Sequence, residues 1–474
     1  MFPLNVMSAR TLWHGSAALS GAALLAISLL APQFRFGTTT PDHPWELLGI
    51  LILISGAAWF ALASATRTLV RDALPTRDLL LAALGLGLVL RLVGFGDVTI
   101  YEDDWLRYLW DGAVLAEGHS PFTHSPATTL ADPAHPLHPD APAAMVVLKG
   151  INNPTLSTIY PPVATALFAV AHVIEPYSVE GLRALYLLSD ALTLGLMVGA
   201  LRAWGRDPLW AALYALSPLL LLTGFNSAHM DILLAPFLVG ALWLAAPGQP
   251  RTVSRSLGIA TLIALAAAIK VWPLLLAPIL LRPWRGRIAT YLFAGAASGA
   301  LTLLLMAPLL LAALSPDSGL SAYSGGWNNS AFLFPLLESA LAPLTAAPGT
   351  TARLLVATFV GGLALWLGVF ADRERDVAGD ALLVTAALLF LSPTGYPWYG
   401  LWLLVFLPFR FSPALALLLV LTPVYYVRFA LGEAGRYAVY TDILIPLAYG
   451  LPLLWLAGEA LRSLAPSRPE RLLA

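Results

Sequence analysis

Long apolar runs, broken by short polar stretches rich in arginine, set the pattern of this chain. A helix needs about 20 mostly apolar residues to cross a bilayer. Runs of that kind fall at roughly 15–32, 46–64, 78–94, 182–203, 208–224, 229–247, 288–313, 353–371, 378–392, 398–409, 413–430 and 441–461. The pattern predicts an all-α polytopic membrane protein with about 12 transmembrane helices. The first run follows Arg10 and lacks a convincing cleavage site, so it reads as a retained helix rather than a signal peptide.

Two apolar segments do not fit as simple crossings. "YPPVATALFAVAHV", from Tyr160 to Val173, is too short, and alternation of the other helices requires it to lie along or dip into one face. Residues 95–181 then form one long first loop with short helices. The segment 257–281 carries Lys270 and Pro273 at its middle and arginines at both flanks. It reads as a broken, re-entrant pair of half-helices, tolerated in a membrane only where protein or a cavity covers the freed backbone.

Arginines give the orientation. They cluster at Arg67, Arg71 and Arg77, at Arg202 and Arg206, at Arg251 and Arg255, at Arg282, Arg285 and Arg287, at Arg373 and Arg375, and at Arg462, Arg468 and Arg471. The positive-inside rule makes these loops and both termini cytoplasmic. The loop 95–181 and the segments "FNSAHMD", "GGWNNSAF" and "SPTGYPWY" then face outside.

Composition agrees. Of 474 residues 58% are hydrophobic and 11% charged, with mean hydropathy +0.77, against about 25% charged in soluble domains. The net charge of −1 gives no sign of a nucleic-acid partner, and the absence of cysteine excludes disulfides and thiolate chemistry. There is no internal repeat and no glycine-rich phosphate loop. The chain reads as one domain over 1–474.

Against this background the first loop opens on "YEDDWLRYLWDG". Glu102, Asp103 and Asp104 stand beside Tyr101, Trp105, Tyr108 and Trp110, and Asp111 follows two helical turns after Asp104 on the same face. A helix cap accounts for one Asp. Three carboxylates among aromatics suit a sugar site with a general base, Asp104 first and Asp103 second, Glu102 beside them and Asp111 orienting substrate. Lys270 is too deep to reach the surface easily, and a buried cation there marks an anion, such as a lipid phosphate, or a structural ion pair with Asp231 or Asp190. His229 and Asp231, in "NSAHMD", read as substrate contacts or as capping and interface polarity. Arg428 lies outside against the charge bias and can hold phosphate with its planar fork, or pair with Glu433 or Asp442.

Four motifs in order resemble the type C glycosyltransferases, which use polyprenyl-phosphate sugars. They are similar above all to the branch of the GPI mannosyltransferase I catalytic subunit and its bacterial relatives. Glu102-Asp103-Asp104 and "GHSPF" stand where that branch has an acidic motif followed by a G-x-S-P-Y stretch, and the first acid is Glu rather than Asp. "TIYPPVA" with Tyr160, "IKVWP" with Lys270, and "PWYGLW" with Trp398 and Tyr399 follow, so the likeness covers about residues 78–410.

The resemblance implies transfer of a hexose, mannose first, from a polyprenyl-phosphate donor to a glycolipid or glycan hydroxyl on the extracytoplasmic face of the cell membrane. Asp104, Asp103 and Glu102 would be catalytic. Lys270 and Arg428 would hold the donor phosphate. Asp111, Tyr108, Tyr160, His229, Asp231, Trp398 and Tyr399 would contact substrate. No cofactor is required, and a divalent cation, Mg or Mn, has room on Glu102 and Asp104. A secondary transporter or lipid-linked sugar flippase with a midplane Lys site is the alternative, and a non-catalytic envelope scaffold is a third reading that leaves Lys270 unexplained.

Overall fold

A computed structural model of the protein describes residues 6–35, 44–314 and 318–464. Arg468 and Arg471, read above as cytoplasmic, lie outside the described residues. The described chain is helical throughout, with two isolated bridges and no strands.

Among the described residues eight helices are long and apolar enough to cross a membrane. They are α1 (Ser8–Phe34), α2 (Trp45–Arg71), α3 (Arg77–Gly96), α6 (Val179–Ala203), α9 (Ile288–Ala312), α10 (Pro348–Val369), α12 (Pro413–Glu433) and α13 (Tyr437–Arg462). Between them lie α4 (Asp104–Ala116) and four shorter apolar helices: α5 (Pro162–Ile174), α7 (Met230–Leu244), α8 (Val253–Ala267) and α11 (Val377–Leu391). The pair Pro208–Ala215 and Leu220–Asn226 is bent by 58° and makes a ninth span if taken as one.

The expected count of about twelve is therefore not reached by helix length. The runs at 229–247, 378–392 and 398–409 yield helices of 15 residues or fewer. Proline or a change of helix type cuts two of them, a 3-10 turn from Met230 opening α7 and Pro397 opening a 3-10 turn before Gly400–Leu404, while α11 is as long as its own short run. These short pieces are enclosed by other helices, so their ends need not face lipid.

Packing uses small residues and a few buried polar bonds. On α2 a Cβ at Gly56 would stand 2.8 Å from Val420 of α12, so only glycine permits that approach. Trp13 Nε1 donates to Thr66 Oγ1 at 3.1 Å and joins α1 to α2, while Trp59 Nε1 donates to Leu213 O at 2.9 Å at the bend in the ninth span. Arg91 of α3 meets Asp190 of α6 at 2.7 Å with both side chains 2% exposed, and donates to Ala215 O at the same bend. Asp190 is thus already paired and is not the partner of Lys270.

The long first loop is built as expected, from α4, two short helices and α5. A Cβ on Gly112 would come within 2.5 Å of Phe168 O, so α4 lies directly on the backbone of α5. The segment 257–281 is interrupted near its middle. Regular helix ends at Ala267 and a 3-10 turn resumes at Trp272. The first turn of α5 meets the break: Val163 N donates to Ala268 O at 3.0 Å, so a donor left over at one helix start satisfies an acceptor freed by the interruption.

The two ends of the bundle differ in charge. At one, Arg10 pairs with Asp78, Thr76 bonds Asp207, Arg282 and Arg375 share Asp380, and Arg287 donates to Arg251 O. The arginine-bearing loops thus meet, although they are far apart in sequence. At the other end Arg35 bridges to Ile100, just before the acidic cluster.

Candidate active site

At that second end the segment after α3 leads into α4 through Glu102, Asp103 and Asp104. Asp103 holds the N-cap position of α4, yet its side chain makes no capping bond. It is turned instead to Asn152, whose Nδ2 donates to Asp103 Oδ1 at 2.9 Å and to Asp104 Oδ1 at 3.2 Å. One amide therefore ties two carboxylates together.

The three acids line a cavity of about 510 Å³ with Lys270, Asp231, Arg428, Tyr108, Tyr160, Trp398 and Tyr399. Burial and mutual repulsion shift the acids upward. Asp103 is pushed up to about 6, chiefly by loss of water and then by Asp104. Burial also raises Asp104, against Asn152 and Lys270. Glu102 is raised well above the usual range, by burial first and by Asp104 and Asp103 next, while Arg428 opposes. Glu102 Oε1 has no hydrogen-bond partner.

Lys270 projects from the break in its helix. Its Nζ stands 2.7 Å from Asp231 Oδ1, with 22% of the lysine side chain and 1% of the aspartate exposed. The ammonium also lies over the rings of Tyr399, at 4.2 Å, and Trp402, at 5.0 Å. Trp402 Nε1 donates to the same Asp231 oxygen at 2.6 Å. Arg428 enters from the opposite wall, over Tyr425 and Phe429, and donates to Asn329 Oδ1 at 2.8 Å. Its hydrogen bond goes to Asn329, not to Glu433 or Asp442.

Two of the residues expected to touch substrate lie behind the wall. Asp111 is 1% exposed and accepts from Arg107 Nε at 2.9 Å, so it steadies α4 rather than lining the cavity. His229 is fully buried beneath the acids, with Nε2 3.5 Å from Glu102 Oε2 and Nδ1 3.9 Å from Asp104 Oδ2. Its ring stacks on Trp398 at 3.5 Å and Trp398 stacks on Tyr396 at 4.4 Å. Tyr108 and Tyr160 meet edge to face at 4.9 Å.

Sequence reasoning passed over Asn152, Arg107, Asn329 and Trp402. Asn152 and Asn329 sit in paired asparagines within otherwise apolar loops, a weak signal that two amides had a task. Among the described residues no group of three or more His, Asp or Glu side chains is arranged to hold a metal ion.

Residues 158–393 match the family model of glycosyltransferase family 87. No curated protein and no solved structure gives a significant match. The family match, on a chain with eight candidate spans, supports a membrane glycosyltransferase. The narrower likeness to the GPI mannosyltransferase I branch is not part of that match. The matched stretch takes in Tyr160, His229, Asp231 and Lys270; the acidic cluster precedes it, and Trp398, Tyr399 and Arg428 follow it.

Proposed function

We propose that this membrane glycosyltransferase moves a hexose, mannose first, from a polyprenyl-phosphate donor to a hydroxyl of a glycolipid or glycan acceptor, by a single displacement with inversion. One observation carries the reading: a single cavity sets three carboxylates, Glu102 buried and Asp103 and Asp104 half-buried, against two cations, Lys270 and Arg428, among aromatic side chains. Carboxylates can take a proton, cations can hold a phosphate, and aromatic rings suit the apolar face of a sugar.

In the proposed step Asp104 takes the proton of the acceptor hydroxyl as its oxygen bonds to the anomeric carbon. The bond from that carbon to the phosphate oxygen breaks. Polyprenyl phosphate leaves with the bonding pair, and Lys270 and Arg428 meet the charge that gathers on it. A β-linked donor gives an α-glycoside. Asp103 shares Asn152 with Asp104 and is the second candidate for the base. The step uses no cofactor; if a divalent cation takes part, Glu102 and Asp104 would be its ligands.

The cavity lies at the end of the bundle away from the arginine-rich loops. The positive-inside rule then puts the active site on the extracytoplasmic face of the cell membrane with both termini in the cytoplasm. The test is an in vitro assay of purified protein with polyprenyl-phosphate mannose, glucose and galactose, following loss of the donor lipid and gain of glycosylated acceptor. Failure to consume any of them, with nucleotide sugars consumed instead, overturns the proposal.

A further inference from the structure

Three neighbouring carboxylates in a buried cavity repel one another, and a free backbone would spread them apart. Something must hold the segment that carries them. The residues that do so come from elements distant in sequence.

Arg183 is fully buried in the first turns of α6. All four of its hydrogen bonds go to backbone carbonyls. Nη1 donates to Phe95 O at 2.8 Å and Asp97 O at 2.7 Å. Nε donates to Phe225 O at 2.9 Å and Nη2 to Asn226 O at 2.7 Å. One guanidinium thus clamps the segment entering the acidic cluster to the end of the bent span. Asn226 continues the clamp: its Nδ2 donates to Val98 O at 2.9 Å, and its Oδ1 accepts from Ile100 N at 3.0 Å. Tyr101 N then donates to Phe34 O at 2.9 Å, and the Tyr101 ring stacks on Phe429 at 4.8 Å. Tyr101 has φ +49, a conformation that costs free energy for any residue with a Cβ and persists only where its surroundings impose it.

We infer that Arg183 and Asn226 are positioning residues that hold residues 95–101 so that Glu102, Asp103 and Asp104 stay gathered in the cavity. Neither touches substrate in the proposed reaction. A lysine in place of Arg183 keeps the charge and loses the fork, which bonds two segments at once. The inference rests on the proposed function for what the acids do, and on geometry alone for how they are held.

The test compares full-length wild type, Arg183→Lys and Asn226→Ala in detergent. Melting temperature is followed from pH 7.5 to 5, and kcat and donor KM are measured with a polyprenyl-phosphate sugar. The charged groups facing Asp103 and its neighbours are Lys270, Arg428 and the carboxylate of Asp231, with Asn152 across the cavity and His229 beneath. In the wild type, acidification removes the repulsion and raises the melting temperature. In both variants the acids spread, that rise shrinks, and kcat falls by about 100-fold, the scale for misplaced catalytic groups, with donor KM within about twofold. Asn226→Ala decides if Arg183→Lys does not fold. Melting curves displaced equally at every pH, with the wild-type rise intact, make both residues merely structural and overturn the inference. Absence of turnover in the wild type condemns the reaction proposed above and leaves the melting comparison to judge the clamp.

Discussion

Asn152 Nδ2 bonds Asp103 at 2.9 Å and Asp104 at 3.2 Å, so one neutral amide is shared by two acids that repel each other. The sharing is incomplete compensation, since Asp103 still titrates at about 6 rather than 3.8. An acid raised in the folded state gives stability that is full below 3.8 and is lost as pH rises through about 6. Asp103→Asn removes that loss. It should stabilise the protein at pH 7.5 by about 1–2 kcal/mol, after allowance for partial exposure, and by nothing at pH 3.5. Thermal unfolding at the two pH values checks this; equal gains at both contradict it.

Asp104→Asn keeps size and shape and still accepts from Asn152. Turnover should fall by about 100-fold or more, the range for loss of a general base. Melting at pH 7.5 should stay the same or rise. If Asp104→Asn transfers sugar at near the wild-type rate and Asp103→Asn does not, the roles of the two acids are exchanged.

Lys270→Met leaves Asp231 buried without its cation, held only by Trp402. Losing one partner of a fully buried pair costs roughly 3–5 kcal/mol. The lysine is 22% exposed, so a smaller loss, about 1–3 kcal/mol, is expected. Lys270→Met combined with Asp231→Asn should recover most of that stability and none of the activity. Polyprenyl phosphate should raise the melting temperature of the wild type and not that of the double variant. Equal stabilisation of both rules out a phosphate contact by Lys270.

The orientation is open to chemistry because the chain has no cysteine to remove. Thr128 and Ser254 are both exposed, one in the first loop and one among the arginines. In right-side-out vesicles an impermeant maleimide should label Thr128→Cys and not Ser254→Cys. The reverse pattern inverts the protein and moves the cavity to the cytoplasmic face.

Much of the architecture was legible because period and length speak directly about lipid. Arginine-bearing loops far apart in sequence are joined at one end by ion pairs and hydrogen bonds, and regular helix stops on either side of Lys270, at Ala267 and Trp272. Helix length misled at 229–247, 378–392 and 398–409, because composition does not distinguish a run that faces lipid from one enclosed by neighbours. The acids, Lys270, Tyr160, Trp398 and Tyr399 do share one cavity. Helical spacing shows which residues share a face and not what that face meets; Asp111 meets Arg107. The partner of Lys270 lies 39 residues away and comes close only through folding. Arg183 carries no signal in the sequence, because its four partners are backbone carbonyls, which have no side-chain signature.

The ion pair of Lys270 with Asp231 has a consequence for how tightly any anionic ligand can bind. The cavity wall carries no unmatched positive charge at Lys270, because Asp231 neutralises it and two aromatic rings shelter it. A phosphate that engages Lys270 must compete with that carboxylate for the same ammonium. Attraction to the resting ligand is thereby weakened. In the proposed transfer it grows as the leaving oxygen gains charge, so the competition falls most heavily on the ground state and least on the transition state. A resident counter-ion of this kind favours speed and product release over tight capture of the donor.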